Sequence, residues 1–238
     1  VSRVLKTLDV DSTALGFAGG FPGEFISKTL EESKIHTDFI EVDEDTRINV
    51  KLKSGQETEI NAPGPKVTQD QFQALLTQIK NTTNKDMPSD AYAQIAEITK
   101  NTGAKLVVDA EKDLVETVLP YQPLFIKPNK DELEVMFNTT VSSDQDVVKY
   151  GKEILKKGAQ SVIISLGGDG AVYVDEQQSI KAVNPQGKVI NTVGSGDSTV
   201  AGMVAGLESG LSIQDAFKQA VASGTATAFE EDLATRDA

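Results

Sequence analysis

The stretch NTVGSGDSTVAGMVAG, residues 191–206, places a glycine-rich turn and an acidic residue directly ahead of small apolar residues. Glycine permits φ > 0 and lets backbone N–H groups face a ligand without an intervening Cβ. A helix that starts near Asp197 would add free N–H groups and its dipole, which favour a phosphoryl anion. A carboxylate there can accept the proton of an attacking hydroxyl. On spacing alone, an ordinary turn in which Asp197 or Ser198 caps the helix explains the stretch equally well.

Three further segments carry polar residues with more than one interpretation. In IKPNKDELE, Asn129 and Glu132 stand one helical turn apart, which suits a hydrated Mg²⁺ ion but also a helix capping box. The segment SLGGDG, residues 165–170, is a glycine turn that could face a nucleotide or simply join two strands. Arg47 opens a segment of alternating polarity, where it could bind a phosphate bidentately or lie in solvent.

The composition limits the kinds of partner and chemistry. The formal net charge of −13 argues against a nucleic-acid surface, because phosphate backbones are bound by clustered Lys and Arg. The chain has no Cys and one His, His36 in a polar stretch, so thiolate and His-rich metal sites are excluded and a general base is expected to be a carboxylate. No apolar run reaches the length of a membrane span and no signal peptide is recognisable, so a cytoplasmic protein without membrane contact is expected.

Elements that could position these residues alternate between short β-branched runs and longer amphipathic runs, which predicts an α/β fold with a largely parallel sheet. Residues 46–65 differ, because they alternate polar and apolar residues around Ser54-Gly55 and predict a β-hairpin lid. The predicted strands cover 12–20, 104–110 and 123–129, followed by strands on both sides of the 165–170 turn. The predicted helices cover 23–34, 68–80, 89–100, 146–158 and a small-residue segment within 221–232, with Thr68 and Ser89 as caps.

The pattern is that of one domain, 1–238, in which the alternation is interrupted. The chain starts in a helix without a preceding strand, and two helices follow each other around residues 86–87 without the expected strand between them. We therefore expect residues of a longer protein to be missing before residue 1, near 86–87 and after 238.

Several ordered motifs resemble the PfkB carbohydrate kinases, which have a ribokinase-like fold. NTVGSGD resembles the family's Asp-Thr-x-Gly-Ala-Gly-Asp motif, with Asn191 and Ser195 as the two departures. IKPNKDELE, SLGGDGA and GFAGGFPGEF match further motifs in the right order, so the resemblance covers essentially the whole chain. It implies a three-layer α/β/α sandwich with a mostly parallel central sheet and a small β lid.

The resemblance also implies roles for individual residues. Asp197 corresponds to the catalytic base, and Gly194, Ser195 and Gly196 correspond to the anion hole for the transferred phosphoryl group. Asn129 and Glu132 correspond to the Mg²⁺-binding motif, and Arg47 to the residue that binds the substrate phosphate. Residues implied on the ATP side are Ser165, Gly167 and Gly170. Asp109 and Lys127 stand at the ends of predicted strands, where α/β sheets bind ligands, and are expected to have supporting roles, Lys127 on the ATP side.

The implied activity is ATP-dependent phosphorylation of the C6 hydroxyl of fructose 1-phosphate to give fructose 1,6-bisphosphate. Tagatose 6-phosphate is the alternative acceptor, and a non-catalytic nucleotide- or sugar-binding protein of the same fold, or a structural α/β domain, are the alternatives of other classes. The family's remaining sugar ligands would fall before residue 1 and between 86 and 87. The resemblance further implies a homodimer formed through the β lid.

Overall fold

The computed structural model describes residues 1–54, 56–83, 91–110 and 112–235. These residues form two compact units, one of Ser2 and Asp11–Asn81, the other of Val1, Arg3–Val10 and Thr82–Ala238. The strand expected near residues 86–87 and the cap expected at Ser89 lie outside the described residues.

The unit that contains Asp11–Asn81 is built on a parallel strand pair and a hairpin. Its elements in order are β1 (Thr13–Ala18), α2 (Gly20–Glu32), β2 (His36–Glu41), β3 (Val50–Ser54), β4 (Gln56–Ile60) and α3 (Gln69–Thr83). β1 pairs with β2 in parallel, and β3 pairs with β4 in antiparallel register, as the alternating pattern of 46–65 predicts. Thr68 caps α3 as predicted, because its hydroxyl accepts from the Gln71 N–H at 3.2 Å while the Gln71 side chain accepts from the Thr68 N–H at 2.9 Å.

The larger unit contains a five-stranded sheet in the order β5 (Val107–Val108), β6 (Phe125–Ile126), β7 (Ser161–Ser165), β8 (Ala171–Asp175) and β9 (Ser179–Ala182). The first three strands run parallel, and β8 and β9 continue the sheet in antiparallel register. The parallel strands end at the edge that carries Asp109, Lys127 and Ser165. Ligand sites of α/β sheets lie at this edge.

Helices cover both faces of this sheet. Ile126, Ile164 and Val174 belong to a buried cluster on one face, whereas Phe125, Ile163 and Tyr173 belong to a separate buried cluster on the other. Period-2 alternation in buried strands produces this division. The remaining helices are α1 (Ser2–Thr7), α4 (Ala91–Thr102), α5 (Lys112–Val118), α6 (Lys130–Phe137), α7 (Asp144–Lys157), α8 (Ser195–Glu208) and α9 (Ile213–Ala228).

Three sequence-based expectations need correction. No strand is predicted around His36, yet His36, which is exposed as its polar stretch indicates, opens strand β2. The strands expected over 104–110 and 123–129 shrink to two residues each, Val107–Val108 and Phe125–Ile126, and beyond them Asn129 forms an isolated parallel bridge with Ser165. The last helix ends at Ala228 rather than continuing toward Asp232.

Within the described part of the chain, no helix combines the length and the apolarity that crossing a membrane requires.

Candidate active site

The glycine turn at residues 194–196 opens helix α8 without any side-chain cap. Gly194 is the N-cap with φ of 84°, in the left-handed region that glycine tolerates, and no side chain caps the helix. Asp197 is the third helical residue and its side chain is 58% exposed. The interpretation of Asp197 or Ser198 as the cap is therefore wrong, and the Asp197 carboxylate is free of that task.

The N–H groups at the start of α8 are not equivalent. The Ser195 N–H donates to the Thr192 carbonyl at 3.2 Å, and the Ser198 N–H donates to the Gly194 carbonyl at 2.8 Å. Within the described residues, the N–H groups of Gly196 and Asp197 have no acceptor. The first turn of a helix leaves such donors for an anion. The positive end of α8 is therefore centred on Gly196 and Asp197, one residue later than the sequence motif suggests.

An ion pair between a buried lysine and a more exposed aspartate lies next to this turn. Lys127, with a side chain only 7% exposed, places Nζ 3.3 Å from Oδ1 of Asp109. A methyl group on Gly196 would lie 3.2 Å from Nζ of Lys127, so the ammonium sits directly against the glycine. Burial raises the pKa of the Asp109 carboxyl, Lys127 opposes this rise, and the negative charge of Asp197 adds to it. A buried ammonium beside free N–H groups makes this corner strongly attractive to an anion.

A cavity of about 970 Å³ opens at this corner. Such a volume is at the upper end for small-molecule and cofactor sites. The four residues predicted on the ATP side all line it: Lys127, Ser165, Gly167 and Gly170. Ser195, Gly196 and Asn129 line it as well, so the cavity brings together glycine turns that are distant in sequence.

The lining of the cavity also includes apolar side chains. Val183 and Val189 are exposed to solvent, yet both line the cavity, together with Val221 and Phe229. Exposed apolar side chains around a cavity suit a flat apolar ligand surface such as a nucleobase. The sequence indicated only that 221–232 contained small residues; the contribution of the loop 183–189 had no recognisable sequence signal beyond the turn-forming pair Asn184-Pro185.

Asn129 and Glu132 form a complete capping box at the start of α6. The Asn129 side chain accepts from the Glu132 N–H at 2.8 Å, and Oε2 of Glu132 accepts from the Asn129 N–H at 2.8 Å. Asn129 lines the cavity, and Oε1 of Glu132 is left outside the box. Within the described residues, no cluster of three or more His, Cys, Asp or Glu could hold a metal ion. The residues therefore fit only an ion that keeps most of its waters and phosphate ligands, as Mg²⁺ does.

Arg47 belongs to the smaller unit, where it is exposed and precedes β3. The adjacent Thr46 is fixed to the glycine turn that opens α2. Its hydroxyl accepts from the Gly19 N–H at 3.0 Å and its own N–H donates to the Gly19 carbonyl at 2.9 Å. The backbone at the base of Arg47 is thus held in place while its side chain points to solvent.

A helix N-terminus with free donors, a buried ammonium and a nearby carboxylate at a nucleotide-sized cavity are the parts that a phosphotransferase with an alcohol acceptor needs. The chain belongs to the pfkB family of carbohydrate kinases, since the model of the pfkB family carbohydrate kinases matches residues 1–236. The expected ribokinase-like α/β fold is confirmed.

Among the relatives is the 1-phosphofructokinase of Bacillus subtilis strain 168, 43% identical over 248 residues that cover 100% of this chain and 82% of the relative. The D-tagatose-1-phosphate kinase of Bacillus licheniformis is 38% identical over 98% of this chain and 81% of its own length. A crystal structure of a candidate phosphofructokinase from Staphylococcus aureus superposes with a TM-score of 0.86 at 75% identity, covering 99% of this chain and 81% of that one.

Proposed function

We propose that this protein transfers the γ-phosphoryl group of ATP to the C6 hydroxyl of fructose 1-phosphate, giving fructose 1,6-bisphosphate and ADP. The observation that carries the choice of acceptor is the 43% identity, over the whole chain, to a protein named 1-phosphofructokinase. The arrangement at the start of α8 supports the reaction type independently of that name.

In the proposed reaction, the carboxylate of Asp197 takes the proton of the C6 hydroxyl as its oxygen attacks the γ-phosphorus. The new O6–P bond forms while the bond from the γ-phosphorus to the β–γ bridging oxygen breaks, and the electron pair leaves with ADP. The N–H groups of Gly196 and Asp197 and the ammonium of Lys127 face the negative charge on the equatorial oxygens. Preorganised donors of this kind stabilise the transition state without reorganisation.

The nucleotide would occupy the cavity beside the two glycine turns. The phosphates would lie against Ser165, Gly167 and Gly170 on one side and the start of α8 on the other. Mg²⁺, when bound with ATP, would neutralise phosphate charge. Asn129 would form a hydrogen bond to one water molecule bound to the Mg²⁺ ion, and Oε1 of Glu132 would accept a hydrogen bond from another.

Arg47 is the proposed ligand of the phosphate that the sugar already carries. A guanidinium binds phosphate with two parallel hydrogen bonds, which a lysine or methionine cannot reproduce. Replacing Arg47 by methionine should raise KM for the sugar phosphate more than tenfold and leave KM for ATP near the parental value. An equal rise of both KM values would argue against this assignment.

We further propose a homodimer formed through the lid hairpin. Val50 and Ile60 face each other across β3 and β4, and both are exposed, as is Ile48 just before the hairpin. Exposed apolar residues grouped on one hairpin favour a protein interface. Sedimentation equilibrium of the parent and of Ile60→Lys tests this: a dimer that becomes monomeric in the variant supports it, and a monomeric parent refutes it.

The replacement Asp197→Asn tests the catalytic role. Turnover should fall by about 10²- to 10⁴-fold, the range for loss of a general base, while ATP affinity stays within a few-fold. Glu208→Gln, at the exposed end of the same helix, serves as the matched control and should keep parental turnover. Turnover of Asp197→Asn within a few-fold of the parent would refute the assignment.

Tagatose phosphates are a second candidate acceptor, favoured by the relative named D-tagatose-1-phosphate kinase. A coupled ADP-release assay should compare fructose 1-phosphate with tagatose 1-phosphate and tagatose 6-phosphate at equal concentrations. The proposal requires the highest kcat/KM for fructose 1-phosphate. A tagatose phosphate turned over more efficiently would replace it.

A further inference from the structure

The glycine turn between β7 and β8 faces the cavity without side-chain packing of its own. A Cβ atom added to Gly167 or Gly168 would have no neighbouring atom within 4 Å. The turn is closed by its own backbone, where the Leu166 N–H donates to the Gly170 carbonyl at 2.8 Å. These bonds fix the shape of the turn but not its distance from the helices across the cavity.

The side chain of Asn184 supplies the missing connection. Its Nδ2 donates to the Gly167 carbonyl at 2.8 Å, and its Oδ1 accepts from the Thr225 hydroxyl at 3.1 Å. Thr225 lies on α9 and is 6% exposed, and its single hydroxyl hydrogen is shared between Asn184 and the Val221 carbonyl, whose oxygen lies 2.8 Å from the hydroxyl oxygen. One amide group therefore joins the glycine turn to helix α9 beside the cavity, which Asn184 and Thr225 both line.

We infer that Asn184 is a positioning residue for the nucleotide, which holds the 167–170 turn at the spacing from α9 that ATP requires. This inference rests on the proposed use of the cavity by ATP. An amide fits this place because its Nδ2 can donate to the Gly167 carbonyl, which only accepts, while its Oδ1 accepts from the Thr225 hydroxyl. An aspartate would turn a carboxylate oxygen toward the Gly167 carbonyl and toward incoming phosphates.

The consequence is specific for the nucleotide. Without the amide, ATP itself must order the turn. The free-energy cost of this ordering then reduces the binding free energy of ATP. Loss of one or two hydrogen bonds corresponds to about a five- to tenfold weaker affinity. The catalytic step and the sugar phosphate are not touched, so kcat and KM for the sugar phosphate should remain near the parental values.

Isothermal titration with ATP–Mg²⁺ measures this directly, whether or not a sugar phosphate is turned over. Asn184→Ala should bind about five- to tenfold more weakly and Asn184→Asp more weakly still. Thr225→Val should lose a few-fold, whereas Thr225→Ser, which keeps the hydroxyl, should bind like the parent. Combining Asn184→Ala with Thr225→Val should add little to Asn184→Ala alone, since both remove the same connection.

The control is Gln177→Ala. Gln177 is exposed and lies in the turn between β8 and β9, whereas Asn184 follows the far end of β9, so this substitution should leave ATP affinity unchanged. The inference is overturned if Asn184→Ala binds ATP within twofold of the parent, if Thr225→Ser loses as much as Thr225→Val, or if the parent does not bind ATP. Parental binding that weakens as expected, without turnover of fructose 1-phosphate, would refute the proposed acceptor and support the inference. Turnover of fructose 1-phosphate together with unchanged ATP affinity in the variants would support the proposed acceptor and refute the inference about Asn184.

Discussion

Replacing Gly202 by alanine should destabilise the protein, although alanine is the better helix former. Gly202 lies inside α8 where α9 crosses it, and an added methyl group would lie 2.7 Å from Oγ of Ser223, 2.8 Å from Cα of Ala220 and 2.9 Å from the Gln219 carbonyl oxygen. Two of these three atoms belong to the backbone and cannot rotate away. Overpacking of this kind costs up to about 3 kcal/mol.

The higher helix propensity of alanine than of glycine offsets about 1 kcal/mol of this destabilisation. The net loss of unfolding free energy is therefore about 2 kcal/mol, which corresponds to a fall of about 4–8 °C in thermal midpoint for a chain of this size. Urea and thermal unfolding followed by circular dichroism measure both quantities.

Gly151→Ala in α7 is the matched control. The three atoms nearest to its added methyl group all belong to side chains: Cγ2 of Val174 at 3.0 Å, Cδ1 of Ile164 at 3.2 Å and Cβ of Val174 at 3.3 Å. Such methyl groups can move by a few tenths of an ångström, so strain and propensity should cancel to within about 1 kcal/mol. If Gly202→Ala unfolds at or above the midpoint of Gly151→Ala, the reasoning from close helix contact is wrong.

Three further predictions concern residues of the same unit. Ser195→Ala should raise the free energy of unfolding by about 1 kcal/mol, because its buried hydroxyl has no partner among the described residues; a lower urea midpoint would contradict this. The bidentate bonds from Arg3, 3.0 and 2.7 Å long, hold the pKa of Asp232 below its usual 3.8. That stabilisation is present above the usual pKa and is lost as the pH falls through the lowered value. Asp232→Asn should therefore cost about 0.5 kcal/mol at neutral pH and nothing in strong acid, and a gap that persists in acid would contradict the pairing. Gly196→Ala should displace the ammonium of Lys127 and reduce sugar-phosphate turnover by about 10- to 100-fold at an unchanged thermal midpoint, whereas parental turnover would argue against a role for that contact.

Elements with strong local signals were predictable from the sequence. The hairpin of β3 and β4 follows from strict alternation, and α7 follows from its amphipathic pattern and the terminal Gly158, although the helix begins at Asp144 rather than at Asp146. The strands β2, β5 and β6 were missed or overextended. Their extent depends on which neighbours pair with them, and a short apolar run carries no record of its partners.

The candidate site divides in the same way. The motif around Asp197 indicated a carboxylate at an anion-binding turn, but cap and base were equally good interpretations until the structure placed the cap at Gly194. At Asn129 and Glu132 the sequence allowed a capping box or a metal site, and the structure forms the box. The roles of individual residues in catalysis and binding stay predictions, to be tested as described.

The sequence by itself determined the α/β class, the family and the order of the glycine-rich motifs, because these depend on residue type, periodicity and spacing along the chain. Only the tertiary structure decided which N–H groups of α8 remain free, that the ammonium of Lys127 lies against Gly196, and that Asn184 joins Gly167 to Thr225. Those facts depend on distances between segments that are far apart in the chain, by 41 positions for Asn184 and Thr225 and by more for Lys127 and Gly196. These segments meet only when the helices pack onto the sheet.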